Sequence, residues 1–399
     1  MTSFFDKVVA APPDPILGLT AAFEADPRKI KVNLSVGIYR TAELKSKTMD
    51  CVKKAEKIIF DEEENKEYLP IHGHMEYVER VGEIVFGKEL FEKIRSRTFG
   101  SQSVGGTGAL RIGGEFLSEE IGKVIFLSNP TWSNHRNIFP RSGMKIETYP
   151  YYNSKKRKFD CDKMIEFLEG LQSGSIILLH ACCHNPTGSD PSHEEWEKIS
   201  SVLLKKRHLP FFDFAYQGFG DGYEKDAFAV RLFAEMGHEM LIATSYSKTF
   251  GLYAERIGAL FVIAKTDALK EKLGSRIKAI IRANYSNPPL HGAKVISHVL
   301  GSSVLRQEWL SELSHMRDRI IEMRRALTSA LISKSSGIDF SYLNERKGLF
   351  SFCDLNKEQV DRLIHEFGIY MTSDGRINVV GLNANNLDYV SEAIIRVCL

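Results

Sequence analysis

Five short apolar runs rich in β-branched and aromatic residues recur along the chain, at KVIFLSNP (123–130), SIILLHACC (175–183), LPFFDFAY (209–216), EMLIATSYS (239–247) and GALFVIA (258–264). Amphipathic stretches such as CDKMIEFLEGL (161–171) and SHEEWEKISSVLLKK (192–206) lie between most of them. Strands that alternate with helices predict an α/β core, a mostly parallel sheet with helices on both faces. Two longer helical patterns follow, one over roughly 267–281 and one from about Pro289 to beyond Arg325, long enough to join two domains. The runs GIDFSYLN (337–344), KGLFSFCDL (347–355) and RINVVGL (376–382) then read as short strands of a smaller α+β unit. The first forty residues, with APPDPI (11–16) and VNLSVGIYR (32–40), are Pro-rich and loop-like; they are expected to pack on that unit or to reach a partner subunit.

Length and composition narrow the class. A chain of 399 residues suits two to three domains. With no internal repeat and no linker, the division follows the pattern: 1–40 as an arm and part of the small domain, 41–314 as the large domain, 315–399 as the small C-terminal domain. Lys plus Arg number 53 against 51 for Asp plus Glu, too balanced for a protein that neutralises many nucleic-acid phosphates. Six cysteines without a CxxC pair, two of them the adjacent Cys182 and Cys183, predict neither a disulfide framework nor a metal site. Reduced thiols, the absence of a basic-then-apolar leader and the lack of a long apolar run predict a cytoplasmic, unprocessed protein with no membrane contact.

In open α/β sheets, ligands bind beyond the carboxyl ends of the strands. Three successive strand ends carry unusual chemistry: His184-Asn185-Pro186-Thr187-Gly188, then Asp213 and Tyr216, then Ser245-Tyr246-Ser247-Lys248 with Arg256 further on. The stretch from Ser103 to Arg111 is Gly-rich and opens a helical pattern, so its free amides suit a phosphate. It is not a dinucleotide fingerprint, because Arg111 stands where the third Gly is needed, and no GK[ST] follows for a nucleotide loop. Pyridoxal 5'-phosphate asks for these groups: a lysine to form a Schiff base, a carboxylate to keep the ring nitrogen protonated, and a phosphate cradle.

The motifs GTGALRIG, NPTWSNH, HNPTG, FFDFAYQGF, SYSKTFGLYAERIG, YSNPP and GRINV, in this order over nearly the whole chain, resemble the class I aminotransferases, in particular the aspartate aminotransferase branch. The resemblance implies the type I fold of pyridoxal-phosphate-dependent transferases and a set of roles. Lys248 would be the Schiff-base lysine and proton-transfer base, Asp213 the partner of the ring nitrogen, and Tyr216 with Asn185 the partners of the cofactor's 3'-oxygen. Trp132 would stack on the ring, with His135 and His180 behind it or simply buried in the core. Gly106, Thr107, Ser245 and Arg256 would hold the phosphate. The family usually has Ser where this chain has Gly105, which removes one hydroxyl from the cup. Arg376 would clamp the substrate α-carboxylate, and the Val36-Gly37 segment would close over it. The family draws a phosphate-contacting Tyr, here Tyr68, and an arginine for the distal carboxylate, here Arg282, from the neighbouring subunit of a homodimer.

The implied activity is transfer of the amino group from L-aspartate to 2-oxoglutarate in two ping-pong halves, giving oxaloacetate and L-glutamate. The alternative is an aromatic aminotransferase of dual dicarboxylic and aromatic specificity; a lyase or decarboxylase using the same lysine is a neighbouring reading, disfavoured by the paired arginines. A ligand-sensing regulator would need a DNA-binding module, for which the segment before the core leaves no room. A structural protein would have no use for Lys248.

Overall fold

The computed structural model describes residues 3–10, 17–335 and 337–399. The APPDPI segment lies outside these. Seven strands form the central sheet: β1 (Thr98–Val104), β2 (Val124–Asn129), β3 (Lys145–Pro150), β4 (Ile176–His180), β5 (Leu209–Phe214), β6 (Met240–Ser245) and β7 (Ile257–Ile263). Their order is β1-β7-β6-β5-β4-β2-β3. All neighbours are parallel except β7, which runs antiparallel to both β1 and β6.

The five apolar runs supply β2, β4, β5, β6 and β7. Their unbroken hydrophobicity follows from burial on two sides: Ile177, Leu179 and Phe212 face one core with Trp196 and Phe233, whereas Ile176, Leu178 and Phe211 face the other with Leu110 and Phe116. Adjacent residues alternate between the two cores as a pleated strand requires. The helices over Cys161–Gly170 and His193–Lys205 form as predicted, the second started by a capping box between Ser192 and Glu195. Helix Asp267–Asn284 matches the first long pattern.

Two expectations are corrected. The second long pattern is two helices, His291–Gly301 and Ser303–Lys334. Ser302 separates them: its backbone is extended (φ −95°, ψ 122°) and its hydroxyl accepts the amide of Leu305 at 3.3 Å, so a side-chain cap displaces helix continuation. In GIDFSYLN the residues Ser341–Glu345 form a 3₁₀ turn rather than a strand, initiated where the Asp339 carboxylate accepts the Ser341 amide at 2.8 Å.

The smaller unit otherwise takes the expected form. Phe350–Phe352 pairs antiparallel with Arg376–Asn378, and Val32–Asn33 of the N-terminal segment pairs parallel with Ile369–Tyr370. The N-terminal segment therefore packs on the C-terminal unit and delivers residues 35–37 to the central sheet's carboxyl edge. No helix among the described residues is long and apolar enough to cross a membrane.

Candidate active site

A pocket opens beyond the carboxyl ends of β4, β5 and β6. Eleven predicted residues line it: Gly37, Gly106, Thr107, Trp132, Asn185, Asp213, Tyr216, Ser245, Lys248, Arg256 and Arg376. They arrive from several sheet exits and from the smaller unit, so residues distant in sequence converge because the parallel strands end at one edge.

Lys248 follows β6, and its ammonium nitrogen lies 4.9 Å from the ring centroid of Tyr216. Burial pushes its pKa below the usual lysine value; the Asp213 carboxylate opposes this and Arg256 adds to it. The lysine is therefore biased toward the neutral, nucleophilic amine.

Asp213 closes β5 with its side chain 12 % exposed. Its Oδ2 pairs with His135 Nε2 at 3.1 Å; His135 Nδ1 meets the Thr131 hydroxyl at 2.8 Å, and that hydroxyl meets His180 Nε2 at 3.3 Å. His180 Nδ1 accepts the backbone amide of Asn185 at 3.4 Å. Burial alone would raise the Asp213 pKa, but the hydrogen bond and charge of His135, with His180 and Lys248, bring it below its ordinary 3.8. Burial pushes His180 down to about 3, with His135 adding to the fall and Asp213 opposing it, so His180 is neutral. The result is a desolvated but ionised carboxylate, aimed into the pocket and suited to a cationic ring nitrogen.

The opposite end suits a dianion. Helix Gly105–Glu120 begins against β6, presenting its N-terminal amides to the pocket. A Cβ on Gly106 would lie 2.9 Å from Ser245 Cβ, and one on Gly105 (φ +69°) would lie 2.5 Å from Arg256 Nη2. The close approach at Gly106 and the left-handed backbone at Gly105 both favour glycine. Arg256 is held by the Ser247 hydroxyl at 3.3 Å and the Tyr253 carbonyl at 3.1 Å.

Arg376, 3 % exposed, donates to Asn185 Oδ1 at 3.1 Å and to the Ser35 carbonyl at 2.8 Å, and stacks over Phe350 at 4.2 Å. Its Nε is buried without a hydrogen-bond partner, a donor left open for an anion. Three basic side chains against one carboxylate make the pocket receptive to phosphate and carboxylate groups.

Two predicted residues are not brought to this pocket by the chain itself. Tyr68 is 92 % exposed, and Arg282 donates to the Ser286 hydroxyl on the surface. Conversely, Tyr253 and Phe350, which have no role in the sequence reading, line the pocket, as does Ser247 beside Lys248. Tyr253 sits inside the SYSKTFGLYAERIG motif, where its position five residues after Lys248 was the available signal; Phe350 carries no signal beyond an ordinary apolar strand.

A buried lysine, an ionised carboxylate and a glycine-walled phosphate cradle at one sheet edge fit pyridoxal phosphate, and define the class of type I pyridoxal-phosphate-dependent transferases. The family profile described as "Aminotransferase class I and II" matches residues 29–394. The aspartate aminotransferase of Escherichia coli K12 is 44% identical over 396 residues, covering 98% of this chain and 100% of that protein. That of Pseudomonas aeruginosa is 43% identical, covering 99% and 100%. Among solved structures, an aromatic-amino-acid aminotransferase from Burkholderia pseudomallei, covalently bound to pyridoxal phosphate, superposes with a TM-score of 0.95 at 43% identity, covering 99% and 100%. The cytoplasmic aspartate aminotransferase of Saccharomyces cerevisiae superposes at 0.94 with 35% identity, covering 99% and 98%. The chain belongs to the class I and II aminotransferases.

Proposed function

We propose that this protein is a pyridoxal-phosphate-dependent aspartate aminotransferase, moving the amino group of L-aspartate to 2-oxoglutarate. The observation that carries it is the convergence, in one pocket, of Lys248, the Asp213–His135 pair and the open guanidinium of Arg376. The full-length relatives named aspartate aminotransferase support the choice of donor.

When bound, pyridoxal phosphate supplies an electron sink for a substrate α-carbon. Thr107, Ser245, Arg256 and the amides at Gly106 hold its phosphate, and Trp132 packs on its ring. Asp213 keeps a proton on the ring nitrogen, while Tyr216 and Asn185 meet the 3'-oxygen. Arg376 orients the α-carboxylate, which fixes the α-C–H bond; Lys248 Nζ, biased to the neutral form, accepts that proton. Gly37 and its neighbours cover the substrate and exclude water.

The active unit is a homodimer in the cytoplasm, each pocket completed by Tyr68 and Arg282 of the other subunit, with Arg282 binding the distal carboxylate. The full exposure of Tyr68 and the surface position of Arg282 support this. We divide the chain into 1–40, 41–314 and 315–399, the last boundary falling inside helix Ser303–Lys334. A second reading, dual dicarboxylic and aromatic specificity, draws on the aromatic aminotransferases among the structural neighbours. Steady-state kinetics with 2-oxoglutarate and aspartate, tyrosine or phenylalanine separates the two: aspartate is expected to have the highest kcat/KM, and a higher value for an aromatic donor would install the second reading.

A further inference from the structure

Seven described residues other than glycine have positive φ, and two of them touch: Arg157 (φ 50°) and Asp354 (φ 52°). Such conformations persist only where the surroundings over-determine them, and they cluster where a fold needs a fixed geometry. Arg157 lies in the hairpin formed by Tyr152–Asn153 and Lys158–Phe159; Asp354 follows strand Phe350–Phe352.

Their contacts tie the two segments together. The Asp354 carboxylate accepts the Tyr152 hydroxyl at 3.1 Å on both oxygens and lies 3.5 Å from Arg157 Nε. Arg346, 3 % exposed, donates to the Tyr152 hydroxyl at 2.9 Å and to the Arg157 carbonyl at 2.6 Å. Both guanidinium groups lie over the Tyr342 ring, at 4.7 and 5.1 Å. Yet Arg346 Nε and the Tyr342 hydroxyl are buried without partners. A cluster that accepts two left-handed residues and two unmet polar groups is poorly explained by stability alone.

Both sides of the cluster lead to Arg376. In the strand pairing, Phe352 is opposite Arg376 and Phe350 lies beneath its guanidinium. On the other side the hairpin region holds the loop that carries Asn185, the Tyr151 hydroxyl donating to the Ser189 carbonyl at 2.8 Å and the Phe159 amide to the Ser189 hydroxyl at 2.9 Å, while Lys347, next to Arg346, donates its amide to the Gly188 carbonyl at 2.7 Å. Asn185 accepts from Arg376. We propose that Arg157, Asp354 and Arg346, closed on Tyr152, are positioning residues: a clasp that fixes the strand bearing Phe350 against the Asn185 loop and so sets the aim of Arg376 at the substrate α-carboxylate. This rests on the α-carboxylate role assigned to Arg376 above.

The test uses the cofactor-loaded protein with Asp354→Asn, Arg157→Gly and the double variant Arg157→Gly/Asp354→Gly. Asn and Gly both tolerate positive φ, so none of the changes adds backbone strain; the Gly changes remove the side-chain contacts, and Asp354→Asn removes the carboxylate charge facing Arg157 while keeping one acceptor for Tyr152. Hydrogen exchange of amides in 350–354 and 376–378 is expected to rise about tenfold. The KM for aspartate and for tyrosine is expected to rise together, roughly three- to thirtyfold, with any fall in kcat equal for the two donors, since the α-carboxylate is common to both and its misalignment weakens binding and misdirects the α-C–H bond alike. Unchanged exchange overturns the clasp, and raised exchange with unchanged KM overturns its role in positioning. A rise in KM for aspartate alone also contradicts it, because the effect would then lie at the distal carboxylate. Exchange is read without turnover, so a wild type lacking transamination would defeat the proposed function while the exchange result still judges the clasp.

Discussion

Asp213 Oδ2 lies 3.1 Å from His135 Nε2, and Asp213 lines the same pocket as Lys248. If Asp213 pairs with the cofactor's ring nitrogen as proposed, Asp213→Ala strips the charge that would keep that nitrogen protonated while leaving Lys248 in place. Loss of one preorganised electrostatic group is expected to lower kcat by roughly 10²–10³. Pre-steady-state kinetics with aspartate should locate the loss in proton transfer, with cofactor still covalently trapped on Lys248 by borohydride. Near-normal turnover would make Asp213 a structural cap.

His180 gives a pH signature. Its pKa, depressed by burial to about 3, means that an unfolded chain takes up a proton near pH 6.5 while the folded one does not. Stability should therefore fall as pH drops from about 6.5 toward 3, by up to about 1.4 kcal/mol per pH unit from this residue. Urea midpoints of the wild type and His180→Leu, compared from pH 7.5 to 4.5, should show a shallower decline in the variant. Parallel curves would contradict the neutral buried histidine.

Gly105 sits where a side chain would meet physical opposition. At φ +69°, with Arg256 Nη2 2.5 Å from where its Cβ would stand, Gly105→Ser adds backbone strain and displaces the Arg256 guanidinium, the proposed phosphate ligand. Chemical denaturation should register a loss of roughly 1–3 kcal/mol, and equilibrium dialysis a weaker affinity for pyridoxal phosphate. A variant that matches the wild type in both would show that Arg256 has room elsewhere.

What the chain disclosed before its structure follows burial. The five runs that become inner strands are apolar on both faces, whereas β1 hides Ser101, Gln102 and Ser103 in the interior and β3 exposes Lys145 and Glu147 along an edge, so neither stands out as an apolar run. The break at Ser302 depends on one hydroxyl cap within an otherwise helical pattern. Site residues were legible where chemistry is concentrated in local motifs, as with Lys248 and Asp213. Phe350 and Thr131 were not, because a stacking phenyl ring and a hydroxyl between two histidines acquire meaning only through partners distant in sequence.

Arg282 tests the sharing of sites. If its guanidinium reaches the other subunit's substrate, Arg282→Ala should cost roughly 2–5 kcal/mol in kcat/KM for aspartate and glutamate, the penalty for a buried charge pair that loses one partner, and much less for tyrosine. Hybrid dimers of Lys248→Ala and Arg282→Ala subunits should recover one intact site, with both defects falling in the other. Hybrids without dicarboxylate activity, or equal damage to all donors, would place Arg282 elsewhere.

The most direct measurement is oxaloacetate release by the purified, pyridoxal-phosphate-loaded protein given L-aspartate and 2-oxoglutarate, alongside Lys248→Ala under the same conditions. The account predicts stoichiometric oxaloacetate and glutamate from the wild type, and loss of turnover in the variant with its fold unchanged by circular dichroism. A wild type that binds the cofactor yet forms no oxaloacetate, or a Lys248→Ala protein that turns over at the wild-type rate, would contradict it.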